Sequence, residues 1–335
     1  VGQTVDGAFA ELDEELNLDP AQRKQAQERH NAIRAALDEA GIVSSSFLQG
    51  SFARKTMLKP LKDVDIVIVL KPELWERLCG PDGPKTAMTW FKTIVATHWP
   101  DAAFDEGDAP SAKALRVTFT DIDFDIDLVP AFDTENDDVL IGDREQQCWE
   151  PSNTRRQILA VSQRNQGTAG RFVHQVRELK SLVKSHSELE FIKGVVIESL
   201  AFAVITSKAK DKSAIADILE HARTAVRGPV IEPAGDDDVT VKWTPSERQV
   251  AVREFDGMAA QAAEALRLEA DDDIAAAIDV WHDLIGHPFP AAESRTPVEA
   301  LAAWNAAGSR TSTGRPTTTT SGRQRIHPGR AWAPR

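Results

Sequence analysis

The spacing of apolar residues changes once along the chain. Up to about residue 150 it is mixed: a helical stretch, then short alternating runs. Beyond that point it keeps to the three-and-four spacing of helices. "NLDPAQRKQAQERHNAIRAALDEAG" predicts a long helix with Asp19 as N-cap, Pro20 at its first position and Gly41 as its terminator. "SSFLQ" predicts a short strand entering a Gly50-Ser51 turn, "FARKTML" a brief helix or turn, and "VDIVIVL" a β-branched strand. After the "GPDGP" loop, Trp90, Phe91, Ile94 and Val95 give "KTAMTWFKTIVATHW" a helical stripe. "ALRVTF" and "FDIDLVPAF" predict two further strands. These elements describe a small mixed sheet with helices, ending near Glu150.

From about Thr154 onward, "RFVHQVRELKSLVK", "FIKGVVIESLAFAVI", "SAIADILEHARTAV", "PSERQVAVREFDGMAAQAAEALRL" and "DDDIAAAIDVWHDLIG" all read as helices. The expected organisation is therefore N-terminal helices over 1–41, including the long one, an α+β core over 42–153 and an all-helical lobe over 154–307, followed by a tail over 308–335. "VRGPVIEPAGDDDVTVKWTP" reads as a solvated connector between two helices. No internal repeat is visible.

Composition narrows the class. With 335 residues, 41% hydrophobic and 27% charged, the sequence is that of a soluble globular chain, and no apolar run is long enough for a membrane span. The start "VGQTVDGAFAELDEEL" lacks the features of a secretory signal, so a cytoplasmic location is expected. Two cysteines are too few for a disulfide framework or a cysteine-rich zinc site. The net charge of -13 conceals an asymmetry: residues 1–307 carry 33 basic against 52 acidic side chains, while the tail carries six arginines and no acid. A body this acidic is not expected to need duplex nucleic acid. The tail has the composition of a disordered segment.

The candidate chemistry lies in "QGSFARKTMLKPLKDVDIVIVL". Alternation along the strand puts Asp63 and Asp65 on one face, roughly 7 Å apart, with Val64, Ile66, Ile68 and Leu70 on the other. In "DIDFDIDLVPAFD" the same rule would align Asp121, Asp123, Asp125 and Asp127. That row is either an acidic solvent-facing strand or, beside Asp63 and Asp65, a site whose repulsion divalent cations relieve. Oxygen-only ligands select magnesium rather than zinc, with manganese as an alternative. A Gly-Ser turn offers backbone N-H groups and a hydroxyl to a phosphate. Arg177, Lys180 and Lys184 recur at helical spacing, as a basic stripe.

"GSFARKT…DVDIVIVL" followed by "DLVPAFD" resembles the polymerase-β-like nucleotidyltransferase superfamily, and within it the bacterial CD-NTases, synthases of cyclic oligonucleotides. The resemblance runs from about Leu18 to Val204. It implies that Gly50 and Ser51 form the triphosphate turn, that Asp63, Asp65 and Asp127 hold the metal, with Asp125 as alternate third acid, and that Lys180 contacts nucleotide phosphates beside Lys184. It further implies nucleoside triphosphate substrates, a cyclic di- or trinucleotide product, an effector protein that answers it in antiphage defence, and Asp127 as the carboxylate that helps deprotonate the attacking hydroxyl. Thr154 stands where many relatives have proline, which leaves a nucleotide-binding role for Ser152 and Asn153 open. Trp149 is either a stacking surface for a base or a core residue. Two rival readings are a terminal nucleotidyltransferase acting on RNA or protein, which a basic acceptor groove would favour, and an inactive nucleotide-binding module.

Overall fold

In the computed structural model, residues 3–293 are described apart from 106, 108, 109, 137 and 236. The tail expected over 308–335, and the end of the helical lobe expected to reach 307, lie outside the described residues. Two helices, α1 (Val5–Leu16) and α2 (Pro20–Glu39), precede β1 (Val43–Leu48), a single helical turn α3 (Gly50–Ala53) and β2 (Asp63–Leu70). The short α4 (Trp75–Leu78) and the longer α5 (Gly83–His98) lead to β3 (Ala103–Phe104), β4 (Leu115–Thr118), β5 (Asp125–Asp133), β6 (Val139–Asp143) and β7 (Cys148–Ser152).

The long helix begins and ends where its sequence requires. Asp19 accepts a hydrogen bond from the Ala21 backbone N-H at 2.7 Å, Pro20 takes the first position, and Gly41 follows the helix at φ +73°, the left-handed conformation that closes a helix most cheaply with glycine. The strands form one seven-stranded sheet in the order β1-β2-β5-β4-β3, with β6 pairing β5 and β7 pairing β6. β2 and β5 run parallel, joined by a crossover that includes α5; their register sets Asp63 beside Asp125 and Asp65 beside Asp127. β4 lies antiparallel on the other side of β5, with Arg116 opposite Asp127.

Alternation divides the sheet between two environments. Val64, Ile66, Ile68 and Leu70 of β2, with Ile126 and Leu128 of β5, pack in one core with Ile33 and Leu37 of α2 and Phe91 and Val95 of α5. All are nearly or wholly buried, so truncating Phe91 to alanine should cost about 3–5 kcal/mol. The other face starts with the aspartates and continues into a smaller apolar patch of Val67, Val69, Val129, Ala131, Val139 and Ile141. This core therefore fixes which way the acids point.

The helical half comprises α6 (Thr154–Gly167), α7 (Arg171–Lys184), α8 (Gly194–Val204), α9 (Asp211–Ala225), α10 (Pro245–Ala270) and α11 (Ile274–Ile285). α7 runs through its core, with Phe172, Val176, Leu179 and Leu182 buried. The two N-terminal helices serve different cores. α2 packs on the sheet, whereas α1 buries Val5, Phe9 and Leu12 among the helices, Phe9 meeting Trp281 and Phe289 edge to face.

Two expectations need correction. The row of four aspartates is not one strand: β5 starts at Asp125, and Asp121 and Asp123 lie in the turn after β4, where Asp121 pairs with the buried Arg29. Antiparallel pairing of β4 with β5 requires that reversal. The link between α9 and α10 is more than a solvated connector. Asp238 accepts hydrogen bonds from the Val230 and Thr240 backbone N-H groups, Arg248 donates to the carbonyls of Val226 and Gly228, and Val230, Glu232 and Thr240 are buried.

Candidate active site

Three strands place charged side chains in one row across the sheet: Asp65 on β2, Asp127 on β5 and Arg116 on β4. Asp63, Asp125 and Thr118 form the adjoining row, with the Thr118 hydroxyl donating to Asp125 at 2.7 Å. Asp127 is buried, Asp65 partly so, and Asp63 is half exposed. Arg116 donates from Nε to Asp127 Oδ1 at 2.9 Å and from Nη2 to Oδ2 at 2.7 Å, and its Nη2 lies 3.8 Å from Asp63 Oδ2. Burial and the neighbouring charges of Asp127 and Asp63 push the Asp65 carboxyl up to about 6; Arg54 and Arg116 offset only part of this. Asp63 is raised by partial burial and by Asp127. The cluster therefore holds more negative charge than its protein surroundings neutralise.

The Gly50-Ser51 turn touches this cluster directly. The Gln49 backbone N-H donates to the Asp65 carbonyl at 2.9 Å, and Gly50 has φ +67°. A β-carbon on Gly50 would overlap the Asp65 carboxylate. Glycine is needed here on both counts, backbone conformation and close approach.

Beside Asp63 opens a cavity of about 350 Å³ lined by Ser51 and by the basic side chains of Arg54, Lys62, Lys180 and Lys184, with Met57, Leu58 and Leu61 as its apolar wall. Its floor is a buried ionic network. Glu198 of α8 accepts from Arg54 Nε at 2.6 Å, from Lys180 Nζ at 2.6 Å and from the Thr56 hydroxyl. Lys180 Nζ also donates to the Thr56 carbonyl at 3.1 Å. Burial alone would raise the Glu198 carboxyl, but Lys180 and Arg54 outweigh it and hold the group well below the usual carboxylate range. This network ties the segment after the Gly-Ser turn to α7 and α8.

The expected residues thus fall into three groups. Gly50, Ser51, Asp63, Asp65 and Asp127 converge. Lys180 and Lys184 both line the cavity, Lys180 with its ammonium engaged by Glu198 and Lys184 exposed at the rim. Ser152 does not line this cavity; it ends β7 opposite Val139 on β6. The basic stripe on α7 does not extend to Arg177, which is buried under α1 and donates to Asp13 at 3.1 Å. Trp149 packs against Phe132 and Trp75 and donates its indole N-H to the Leu78 carbonyl at 2.7 Å, the arrangement of a core residue. Arg116 and Glu198 were missed from sequence. Arg116 had a visible signal, as the one charged residue in "ALRVTF".

The donor set of Asp63, Asp65 and Asp127 is all carboxylate oxygen and carries excess negative charge, which fits a hard divalent cation. Among the described residues, no three His, Cys, Asp or Glu side chains are already closed around one point as a metal site. Both Asp127 oxygens are instead taken up by Arg116.

No curated protein sequence matches the chain. Among solved structures, CdnC of E. coli MS115-1 is similar at 14% identity, both in its complex with HORMA-deltaN (TM-score 0.67; 84% of this chain, 96% of that chain) and with ATP (TM-score 0.67; 87% and 99%). The Bradyrhizobium diazoefficiens CD-NTase CdnG in complex with GTP is similar at 15% identity and TM-score 0.61, covering 78% of this chain and 92% of that one. Vibrio cholerae DncV, a cyclic AMP-GMP synthase in complex with the linear intermediate 5' pppA(3',5')pG, is similar at 12% identity and TM-score 0.55, covering 73% and 69%. At these identities the likeness establishes the fold: a nucleotidyltransferase-like mixed sheet with a helical C-terminal region. Residues 4–165, which contain all three acids and the Gly-Ser turn, match the model of the Second Messenger Oligonucleotide or Dinucleotide Synthetase domain, SMODS. Residues 4–165, just under half of the chain, are thus similar to the SMODS domain, on a fold that the solved CD-NTases share.

Proposed function

We propose that this chain condenses nucleoside triphosphates into a cyclic di- or trinucleotide second messenger, in a magnesium-dependent reaction that can also use manganese. The observation that carries this reading is the convergence of Asp63, Asp65 and Asp127 on one sheet face against the Gly50-Ser51 turn, beside a basic cavity. In each bond-forming step, the ribose hydroxyl of one nucleotide attacks the α-phosphorus of another, and pyrophosphate leaves.

The turn's backbone and the Ser51 hydroxyl bind the triphosphate, with Arg54, Lys62 and Lys184 neutralising its charge from the cavity wall. Lys180, held by Glu198, fixes the segment that follows the turn and adds positive potential. Asp63, Asp65 and Asp127 would hold the divalent cations. When bound, such ions stabilise charge on the attacking and leaving oxygens of an in-line displacement. Asp127 would help to deprotonate the attacking hydroxyl.

ATP on CdnC and GTP on CdnG support triphosphate substrates, and the linear intermediate on DncV supports stepwise synthesis before closure. The HORMA-deltaN complex of CdnC supports a protein regulator, acting beside an effector that answers the product in antiphage defence. No helix among the described residues is long and apolar enough to cross a membrane. The test is pyrophosphate release from a mixture of the four NTPs with magnesium. Asp63→Ala, Asp65→Ala and Asp127→Ala should each lower the rate by a hundredfold or more, and a rate within tenfold of the parent in any of them would refute that residue's assignment.

A further inference from the structure

Arg116 sits on the carboxylate of Asp127, one of the three acids proposed to hold metal. Its guanidinium engages both oxygens of Asp127 at 2.9 and 2.7 Å and approaches Asp63 at 3.8 Å, so it bridges two of the three acids. Asp127 is 7% exposed and has little room to present an oxygen in another direction, whereas the Arg116 side chain is 37% exposed and free to swing toward the cleft. The other groups facing this row are Asp65, Asp125 paired with Thr118, and Arg54 on the turn side. A divalent cation at Asp127 must therefore either sit next to this like charge or displace it.

We propose that Arg116 is an internal counter-cation that closes Asp127 to free divalent metal and releases it only when the ion arrives with a nucleoside triphosphate. The bidentate pair neutralises a buried carboxylate in the metal-free chain. A solitary hydrated cation gains too little from Asp63 and Asp65 to break it. A nucleotide-bound cation adds the binding energy of the triphosphate in the turn and cavity, and that coupling makes metal occupancy depend on substrate. Arg116 acts through Asp127, so it is a positioning residue rather than a catalytic one. The inference rests on the proposed role of the three acids in holding metal.

The experiment measures Mn²⁺ binding to the purified full chain by electron paramagnetic resonance, with and without a non-hydrolysable NTP analogue. The variants are Arg116→Gln, Arg116→Lys, Asp65→Asn, Asp127→Asn and the double variant Arg116→Gln/Asp127→Asn. Without nucleotide, Arg116→Gln should bind Mn²⁺ at least fivefold more tightly than the parent, with Arg116→Lys between the two, and the gain should vanish in the double variant. With the analogue present, parent and Arg116→Gln should both gain the triphosphate's binding energy, so that the parent binds Mn²⁺ at least tenfold more tightly than it does alone. Should Arg116→Gln fail to fold, Arg116→Lys carries the comparison, since it keeps a charge but loses the bidentate grip. Nucleotide-free affinity that is unchanged or weaker in the folded Arg116 variants would overturn the inference. If Asp65→Asn and Asp127→Asn bind Mn²⁺ as well as the parent with the analogue present, the role of the acids themselves fails, an outcome distinct from the first.

Discussion

Replacing Asp65 with asparagine should make the metal-free protein more stable while removing its activity. Asp65 is pushed to about 6 from an ordinary 3.8 by burial and by Asp127 and Asp63. One pH unit corresponds to about 1.4 kcal/mol, so ionised Asp65 costs the metal-free fold roughly 2–3 kcal/mol at neutral pH. The pH window follows from the sign of the change. The folded chain holds the Asp65 proton more tightly than the unfolded chain, so the parent loses stability as pH rises from about 4 to about 6 and loses no more from this group above that. Asparagine has nearly the same shape and no charge. Its advantage should thus be absent near pH 3.5, grow through the window and reach about 1–3 kcal/mol by pH 7.5, a rise of several degrees in Tm. The assay is thermal unfolding in EDTA across pH 3.5–8, paired with turnover in magnesium. An Asp65→Asn protein that melts at or below the parent at pH 7.5, or an advantage that is the same at every pH, would refute the electrostatic reasoning.

Other perturbations test the rest of the site. Gly50→Ala adds a β-carbon where φ is +67° and the Asp65 carboxylate is in the way, so it should cost about 1–3 kcal/mol by thermal unfolding and lower turnover far more than that loss explains, because Asp65 must shift. Glu198→Ala leaves Lys180 and Arg54 buried without their shared partner and should destabilise by about 3–5 kcal/mol in urea unfolding; a loss under 1 kcal/mol would show the network to be dispensable. Glu178, on the same helix as Lys180, is 1% exposed with neither carboxylate oxygen hydrogen-bonded, and burial raises its pKa well above the usual carboxylate value. Its folded form keeps the proton as pH rises above about 4.5, so the parent loses stability upward from there; Glu178→Gln should match the parent near pH 4 and exceed it by about 1–2 kcal/mol at pH 8, as read from denaturant midpoints.

Local periodicity made the sheet face legible. The alternation in "DVDIVIVL" assigns Asp63 and Asp65 to one side, and the apolar partners Val64, Ile66 and Ile68 have only one core to enter. The same rule failed four residues ahead of Asp127, because alternation cannot show where a strand begins; Asp121 and Asp123 belong to the reversal that lets β4 pair with β5. Helical spacing likewise placed Arg177, Lys180 and Lys184 on a common stripe, yet which part of a stripe faces a cavity depends on what covers it, and α1 covers Arg177. The contact of Gly50 with Asp65, and of Glu198 with Arg54 and Thr56, joins segments 15 to more than 140 residues apart. Such pairs leave no trace in local pattern. Arg116 lies between these cases: a single charge in an apolar strand is a readable anomaly, but its partner is fixed only by the β4–β5 register.

The central claim is that the acids and turn join free nucleotides to one another, and product identity tests it most directly. The purified chain is incubated with ATP, GTP, CTP, UTP and magnesium, with and without tRNA and duplex DNA at near-physiological salt, and the products are resolved by mass spectrometry. The account predicts a cyclic di- or trinucleotide, lacking terminal phosphates, formed at the same rate whether or not nucleic acid is present. Nucleotide added to tRNA, or synthesis that rises severalfold with duplex nucleic acid, would contradict it.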